Sequence, residues 1–558
     1  MPIPANPKMA PEARRLRRFR VDAREIAAPG GFPIACWLAS LACAAAFVML
    51  GGGALELDAA EARLGLAIGE PFGPLGRAFG GWDFTLWPGK VLAGKAWAAS
   101  GIDRMVSSSS AFPGAVRWPS ALAALGIGFI AARRLALAMG PRAGAIAAAC
   151  LFGSLGLIDR SNSLGIDPMA GLGVVAALDR ILARGSGWIA GLWATLAVLT
   201  GGWPALAAIL LPVVVLGRSG SSLSWGLVVP PVAALIGWSM WALKAATPEA
   251  WAAAMAWPLT RKIAWWLPAQ VAAAGLPWAP FAILAAWPSV RDGWAPEARR
   301  TLQGWTTVAG ASLIAGTFIP GLADAMRLPA LVGVLLLSAA SLDRAWAGLA
   351  NAWPRRTFGR LAVAACVALG RLDRRGDLPG AAQPFYRAAA IGLLVAGQGA
   401  GVLAVAALFE RKPPLLISAV LMVAIGVKLA HAGIYGPEWA YRFGQGPWGR
   451  AVAQWVPPNW PIYTVHNWPA DFALAAERPF RQLVNPKSLG FEPQDRPHFV
   501  LLDPGEFEHW DPDAPPLVAV REFQGPRGET RVLARTRPGA SIQPARGTWR
   551  ASSSEAEE

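Results

Sequence analysis

Apolar runs of membrane-crossing length recur along most of this chain, which confines it to folds that satisfy every backbone hydrogen bond internally. A helix needs roughly 20 residues to cross the hydrocarbon core, and somewhat fewer when it is buried among neighbours. By that measure spans lie at 32–52, 114–132, 142–158, 167–183, 187–200, 203–217, 223–243, 264–287, 302–319, 328–342, 388–409 and 415–433. These twelve spans, or thirteen if 343–387 holds another crossing, predict an all-α polytopic membrane protein. A soluble chain of 558 residues would divide into domains with polar surfaces, whereas here 54% of residues are hydrophobic and only 15% charged.

Lys and Arg together number 51 against 35 Asp and Glu, a net charge of +16. The arginines sit in short clusters between spans, so membrane orientation accounts for them and no nucleic-acid partner is implied. Alternate connections are richer in Lys and Arg, which places the basic segment 1–31 in the cytoplasm and the long connection 53–113 outside. The first apolar run lacks a small-residue cleavage site, so it is expected to stay as a transmembrane helix. Many of the 28 Trp residues fall near span ends, among them Trp188, Trp203, Trp265, Trp266 and Trp287. Interfacial anchoring explains most of these. The four cysteines, at 36, 43, 150 and 366, lie inside apolar stretches with no CxxC spacing, so neither zinc nor a disulfide framework is suggested.

After residue 440 the pattern changes. Short β-like runs at 461–465, 498–502, 517–520 and 530–535, with a helical pattern at 469–477, predict a small α/β domain over 441–538. Residues 539–558 read as a disordered polar tail. Twelve spans from an inside N-terminus would leave this domain inside. The segment 357–370, about 21 Å long as a helix and flanked by arginines, fits an amphipathic helix on the inner surface. Arg411 and Lys412, between the last two spans, instead call for one more crossing between 343 and 387. The reading places the domain outside, where it would cover an outward cavity.

A series of short motifs lies along the first 350 residues. Asp58-Ala59-Ala60-Glu61-Ala62-Arg63 follows the first span, then Trp87-Pro88-Gly89-Lys90, and Arg117-Trp118-Pro119-Ser120-Ala121-Leu122 opens the second. Asp159-Arg160 with Asp167-Pro168-Met169, and Leu199-Thr200-Gly201-Gly202-Trp203-Pro204, come next. Leu267-Pro268 with Gly275-Leu276-Pro277-Trp278, and Arg327-Leu328-Pro329, complete the series. In this order, over roughly residues 32–342, the chain resembles the GT-C glycosyltransferases of the lipid A aminoarabinose transferase and protein O-mannosyltransferase type. It departs from them where the acids stand three apart rather than adjacent, where Thr200-Gly201-Gly202 lacks a lysine, and where no tyrosine follows Arg63 or Arg327.

The resemblance implies a GT-C-like membrane domain over 32–440 and an inverting enzyme in the inner (plasma) membrane. Such an enzyme moves a hexose or pentose from a polyprenyl-phosphate donor to a lipid, glycan or protein acceptor, with its site facing the periplasm or exterior. That chemistry needs a carboxylate to deprotonate or orient the acceptor, and cations to stabilise the leaving phosphate. Asp58 and Glu61, on one face of a membrane-surface helix, and Asp167 are the candidate catalytic acids. Lys90, Arg261, Lys262 and Arg327 are the candidate phosphate ligands. Each has a plainer reading. Asp58 and Glu61 fit an N-cap and a first-turn acid, Asp167 fits a cap before Pro168, and the cations fit snorkelling to the interface. The histidines at 431, 466, 498 and 509 are dispersed, so no metal site is expected. No cofactor is assigned, with a divalent cation kept as an option. A transporter or flippase, or an inactive relative that binds polyprenyl lipid, remains the alternative.

Overall fold

The computed structural model describes residues 112–158, 168–217, 224–245, 263–286, 288–346 and 384–410, then 419, 422 and 426. Towards the C-terminus it describes 446–457, 460–465, 470–476, 478, 480–483, 485–492, 496–524 and 530–537. The first predicted span, residues 53–111 of the first connection, the segment 357–370, most of the last span and the tail lie outside the described residues.

The helical part begins with α1 (Phe112–Met139) and α2 (Pro141–Phe152), joined at Gly140. Gly140 adopts φ 101°, a backbone region that L side chains rarely enter, and Pro141 supplies a first helical position with no N–H to satisfy. The predicted span 142–158 is interrupted at Gly153 and Ser154, so α3 (Leu155–Ile158) is separate. There the Ser154 hydroxyl donates to the Leu151 carbonyl at 2.7 Å, satisfying a helix-end oxygen inside the core. Next come α4 (Pro168–Leu182), α5 (Gly187–Gly217) and α6 (Trp225–Ala245).

By length and composition α5 counts as one membrane-crossing helix, but its contacts fold it back on itself. A straight helix of 31 residues is about 46 Å long. A side chain added at Gly187 would collide with Ser224, and one added at Gly226 would collide with Trp188, so α6 starts beside the start of α5. Seven peptide units from Gly217 to Ser224 reach at most about 25 Å. Residue 217 therefore lies within about 30 Å of residue 187, so α5 bends sharply rather than running straight. The reversal falls at Gly202 (φ 73°, ψ −163°), the one residue of α5 outside helical conformation, with Pro204 opening the returning arm. These two arms correspond to the separate spans predicted at 187–200 and 203–217.

The predicted span 264–287 is broken rather than straight. It consists of α7 (Leu267–Ala274) and a 3-10 helix (Ala279–Ala286) bent by 107°. Gly275 ends α7, and Pro277, with no N–H to continue a helical ladder, lies in the break. The chain continues through α8 (Pro288–Arg291), α9 (Pro296–Phe318), α10 (Ala323–Trp346) and α11 (Pro384–Glu410). Among the described residues α1 and α10 also contain stretches long and apolar enough to cross a membrane, Ser120–Met139 and Ala323–Arg344. On α11, Ile391, Leu394, Val395 and Val402 are exposed, the surface a lipid-facing helix presents.

Small residues set the packing. Gly304 on α9 is close against Leu182 on α4, Gly316 against Met326 and Leu267, and Gly171 against Leu328. The buried core is rich in Ala and Leu from α1, α2, α4, α5, α9 and α10. In lipid, where apolar burial gives helices little mutual attraction, such close backbone approach is what holds them together. Trp188, Trp265 and Trp266 are exposed near helix starts, as interfacial anchors should be, and Trp203 is half-buried; Trp278 and Trp305 are instead buried in the core.

The C-terminal part is a small α/β domain. After α12 (Gly446–Ala453) come β1 (Ile462–Thr464), α13 (Ala470–Ala476), β2 (Phe480–Gln482), β3 (Phe499–Leu502), α14 (Pro504–Glu508), β4 (Leu517–Gln524) and β5 (Thr530–Thr536). The five strands run in the order β2-β1-β3-β5-β4. β1 is parallel to β2 and β3, while β5 is antiparallel to both β3 and β4. Alternation along β3 puts Phe499 and Leu501 against Trp448 and Phe472 of α12 and α13, and Val500 and Leu502 against Tyr463 and Leu489 on the other face. The four predicted strands are all present; β2, only three residues long, is additional.

Candidate functional site

The packed pairs define two ends of the helical part. At one end α1 finishes, α2 begins, α4 finishes and α10 finishes. Here two ion pairs to buried carboxylates link the helices. Arg134 of α1 donates from Nε and Nη2 to the two carboxylate oxygens of Asp179 on α4, at 2.5 and 2.8 Å. Arg142 of α2 does the same to Asp343 on α10, at 2.6 and 3.3 Å. Forked pairing of this kind satisfies both groups geometrically and ties α1 to α4 and α2 to α10.

The other end gathers the candidate site. There α4 begins at Pro168, α7 begins at Leu267, α9 finishes at Phe318, α10 begins at Ala323, and α5 reverses at Gly202. Gly201 lies against Ala170, in the first turn of α4. The backbone N–H of Ala264 donates to the carbonyl of Thr317 at 3.2 Å, tying the approach to α7 to the end of α9. Leu328 of α10 packs against Gly171.

Arg327 projects from the first turns of α10 at this end, with its side chain only 5% exposed. Its Nη2 donates to Oε1 of Gln270 on α7 at 2.6 Å, and to Oδ1 of Asp324, one turn earlier, at 3.4 Å. Snorkelling does not describe this arginine, because its guanidinium is turned inward between α7 and α10. A buried cation at a helix start gains nothing from the helix dipole, so the hydrogen bond to Gln270 and the nearby Asp324 carboxylate must support it. Sequence reasoning missed Gln270. Its signal was available, since it is the single polar side chain in the apolar run 263–286.

Of the other candidates, Asp58, Glu61, Lys90, Asp167, Arg261 and Lys262 lie outside the described residues. Two described positions border them: Pro168 follows Asp167, and Ile263 follows Lys262. Both are at the Arg327 end of the bundle. Among the described residues no three His, Cys, Asp or Glu side chains are grouped to hold a metal ion.

In the C-terminal sheet the titratable groups are structural. The Tyr463 hydroxyl is pushed up to about 12, first by burial and then by the adjacent Glu492 carboxylate, which pairs with Arg481 at 3.2 Å. His498 is buried, with its ring edge on Tyr463 and its backbone N–H donating to the Thr536 hydroxyl at 2.8 Å. Asp503 caps α14 in a reciprocal box with Glu506 and pairs with Arg531.

No protein-family model matches the sequence, and no curated protein is significantly similar to it. Solved structures are similar to the chain, among them ArnT from Cupriavidus metallidurans bound to undecaprenyl phosphate and the same protein in the apo state. Each superposes at TM-score 0.64 with 17% identity, over 89% of this chain and 97% of that one. The chain has the GT-C glycosyltransferase fold. An oligosaccharyltransferase complex from Archaeoglobus fulgidus, with Zn and sulfate, aligns at 13% identity over 84% of this chain and 68% of that one. Its TM-score of 0.28 is too low to bear on the fold. The GT-C fold includes both the helical part and the small C-terminal domain, so the chain is a multi-pass membrane protein. The reversal at Gly202, the broken α7 segment and the start of α10 belong to the same end of that fold.

Proposed function

We propose that this protein is an integral membrane glycosyltransferase that moves a sugar from a polyprenyl-phosphate donor to a lipid, glycan or protein acceptor on the outer side of the inner membrane. The observation that carries the reading is Arg327: a buried guanidinium, held between α7 and α10 at the end of a GT-C fold that the charge pattern of the connections would turn outward. There it is suited to meet the phosphate of a donor whose prenyl chain lies in the bilayer.

In the inverting reaction, the acceptor hydroxyl loses its proton to a carboxylate and its oxygen bonds to the anomeric carbon. The bond from that carbon to the phosphate oxygen breaks, and the electron pair leaves with polyprenyl phosphate. Asp58 or Glu61 is assigned as the base, and Asp167 as the carboxylate that orients the acceptor. Lys90, Arg261, Lys262 and Arg327 stabilise the charge on the departing phosphate. A divalent cation is kept as an option beside them.

The test uses purified full-length protein with a polyprenyl-phosphate sugar labelled in the sugar, plus an envelope extract as acceptor source. Transfer of label with release of polyprenyl phosphate is expected. The broken segment 267–286 favours a second reading, because transporters use discontinuous helices at their substrate sites. Movement of labelled lipid across proteoliposomes with its sugar intact would support that reading and overturn the first.

A further inference from the structure

We propose that Arg344 forms an anion site at the end of the bundle away from Arg327, and that its occupant is the phosphate of an anionic membrane phospholipid. Arg344 stands in the last turn of α10 and is only 9% exposed. Its guanidinium lies against Gly293, in the turn between α8 and α9, so closely that a side chain at 293 would overlap it. The neighbouring carboxylate is taken, because both oxygens of Asp343 receive the Arg142 fork and Asp343 reaches Arg344 only through its field. Asp292, on the same turn as Gly293, is exposed, and among the described residues neither acid forms an ion pair with Arg344. A guanidinium withdrawn from water costs free energy unless charge-assisted hydrogen bonds replace its hydration. The described side chains supply none here, whereas Arg134 and Arg142 at the same end each have a forked carboxylate.

Two neighbouring groups are also buried without a partner: the Ser341 hydroxyl, one turn earlier on α10, and the Trp294 indole N–H, next in the chain to Gly293. Ser341 and Arg344, three apart, share a helix face. A guanidinium and an indole N–H can only donate, so the ligand that completes the group is an acceptor with several oxygens. The surroundings select a lipid phosphate. Arg344 ends the membrane-crossing stretch Ala323–Arg344. Trp188 and Trp225, at the starts of α5 and α6 at this same end, are exposed, as tryptophans of the headgroup layer are. Arg180 and Arg184 at the end of α4, and Arg299 and Arg300 in the first turns of α9, are exposed there too, against the exposed acids Asp292 and Glu297. An excess of cations at the headgroup level draws anionic lipid to the surface, and Arg344 gives its phosphate a place to dock.

The test measures binding of a fluorescent short-chain phosphatidylglycerol to the full-length protein in detergent, with the matching phosphatidylcholine as zwitterionic control and inorganic phosphate as free competitor. Arg344→Gln is expected to weaken phosphatidylglycerol binding about tenfold, through loss of charge-assisted hydrogen bonds, and to leave phosphatidylcholine binding unchanged. Gly293→Ala, which crowds the guanidinium without removing its charge, is expected to weaken phosphatidylglycerol binding as well. Arg300→Gln, on the exposed surface, is expected to change it less than about twofold. Normal phosphatidylglycerol affinity in Arg344→Gln overturns the site. An equal loss in Arg300→Gln also overturns it, since diffuse surface charge would then explain the binding. Displacement of the lipid by inorganic phosphate at the lipid's own concentration overturns the lipid as the occupant. Should Arg344→Gln not fold, Gly293→Ala decides: unchanged phosphatidylglycerol affinity overturns the proposal.

Discussion

Asp179 on α4 receives both nitrogens of the Arg134 fork from α1, and the same Arg134 Nη2 also reaches the Asp179 backbone carbonyl at 3.2 Å. The two side chains are 16% and 7% exposed, so this is an ion pair withdrawn from solvent. Removing one partner strands the other charge, which costs about 3–5 kcal/mol in buried pairs. Asp179→Ala is expected to lower the melting temperature in detergent sharply, whereas replacing both members by apolar residues of similar volume restores much of it. Equal destabilisation by the single and double variants would show that packing, not the stranded charge, dominates.

Gly202 adopts a backbone region that is nearly closed to other residues, and it does so where α5 reverses. A side chain there costs on the order of 1–3 kcal/mol. Gly202→Val is expected to lower both stability and sugar transfer, because this position adjoins the start of α4 at the Arg327 end. A variant with the unmodified melting temperature would mean that the reversal tolerates a side chain.

The acids of the first outward connection are expected to carry the reaction. Separate Asp58→Asn and Glu61→Gln variants should yield at least one with transfer reduced about 100-fold or more. Circular dichroism and gel filtration check folding. Full activity in both variants would remove this pair from catalysis.

Tyr463 tests the electrostatics of the C-terminal sheet. Its folded value near 12 lies above the ordinary tyrosine range near 10, so the fold favours the protonated phenol. Its contribution to stability is therefore complete below about pH 10 and is lost as pH rises toward 12. The tyrosine ionisation near pH 12 on alkaline titration should disappear in Tyr463→Phe. An unchanged titration curve in that variant would contradict the assignment.

The side of the C-terminal domain is decided by labelling. Ser488→Cys, in the 3-10 helix of Pro486–Phe491, is expected to react with a membrane-impermeant thiol reagent in intact cells. Reaction only after lysis would put the domain inside.

Much of this architecture is local in origin and so was legible in the sequence. Span-length apolar runs gave the described helices of the membrane part, and short β-like runs gave β1, β3, β4 and β5, because hydrophobic pattern and backbone propensity act over a few residues. The turn at Thr200-Gly201-Gly202 was likewise visible, since only glycine enters that backbone region at low cost. The fold also makes Arg327, a candidate from its position near a span end, part of a side-chain contact that its local sequence does not specify.

What the tertiary structure alone decided is the choice of partners. Arg134 meets Asp179 across 45 residues, Arg142 meets Asp343 across 201, and Arg327 meets Gln270 across 57. No local pattern encodes those distances, because each pair forms only once several helices have packed through their glycine and alanine contacts. For the same reason the 107° break between α7 and the 3-10 helix escaped a reading based on hydropathy. An apolar run has the same hydropathy whether it crosses straight or bends, and only the neighbours packed around it distinguish the two.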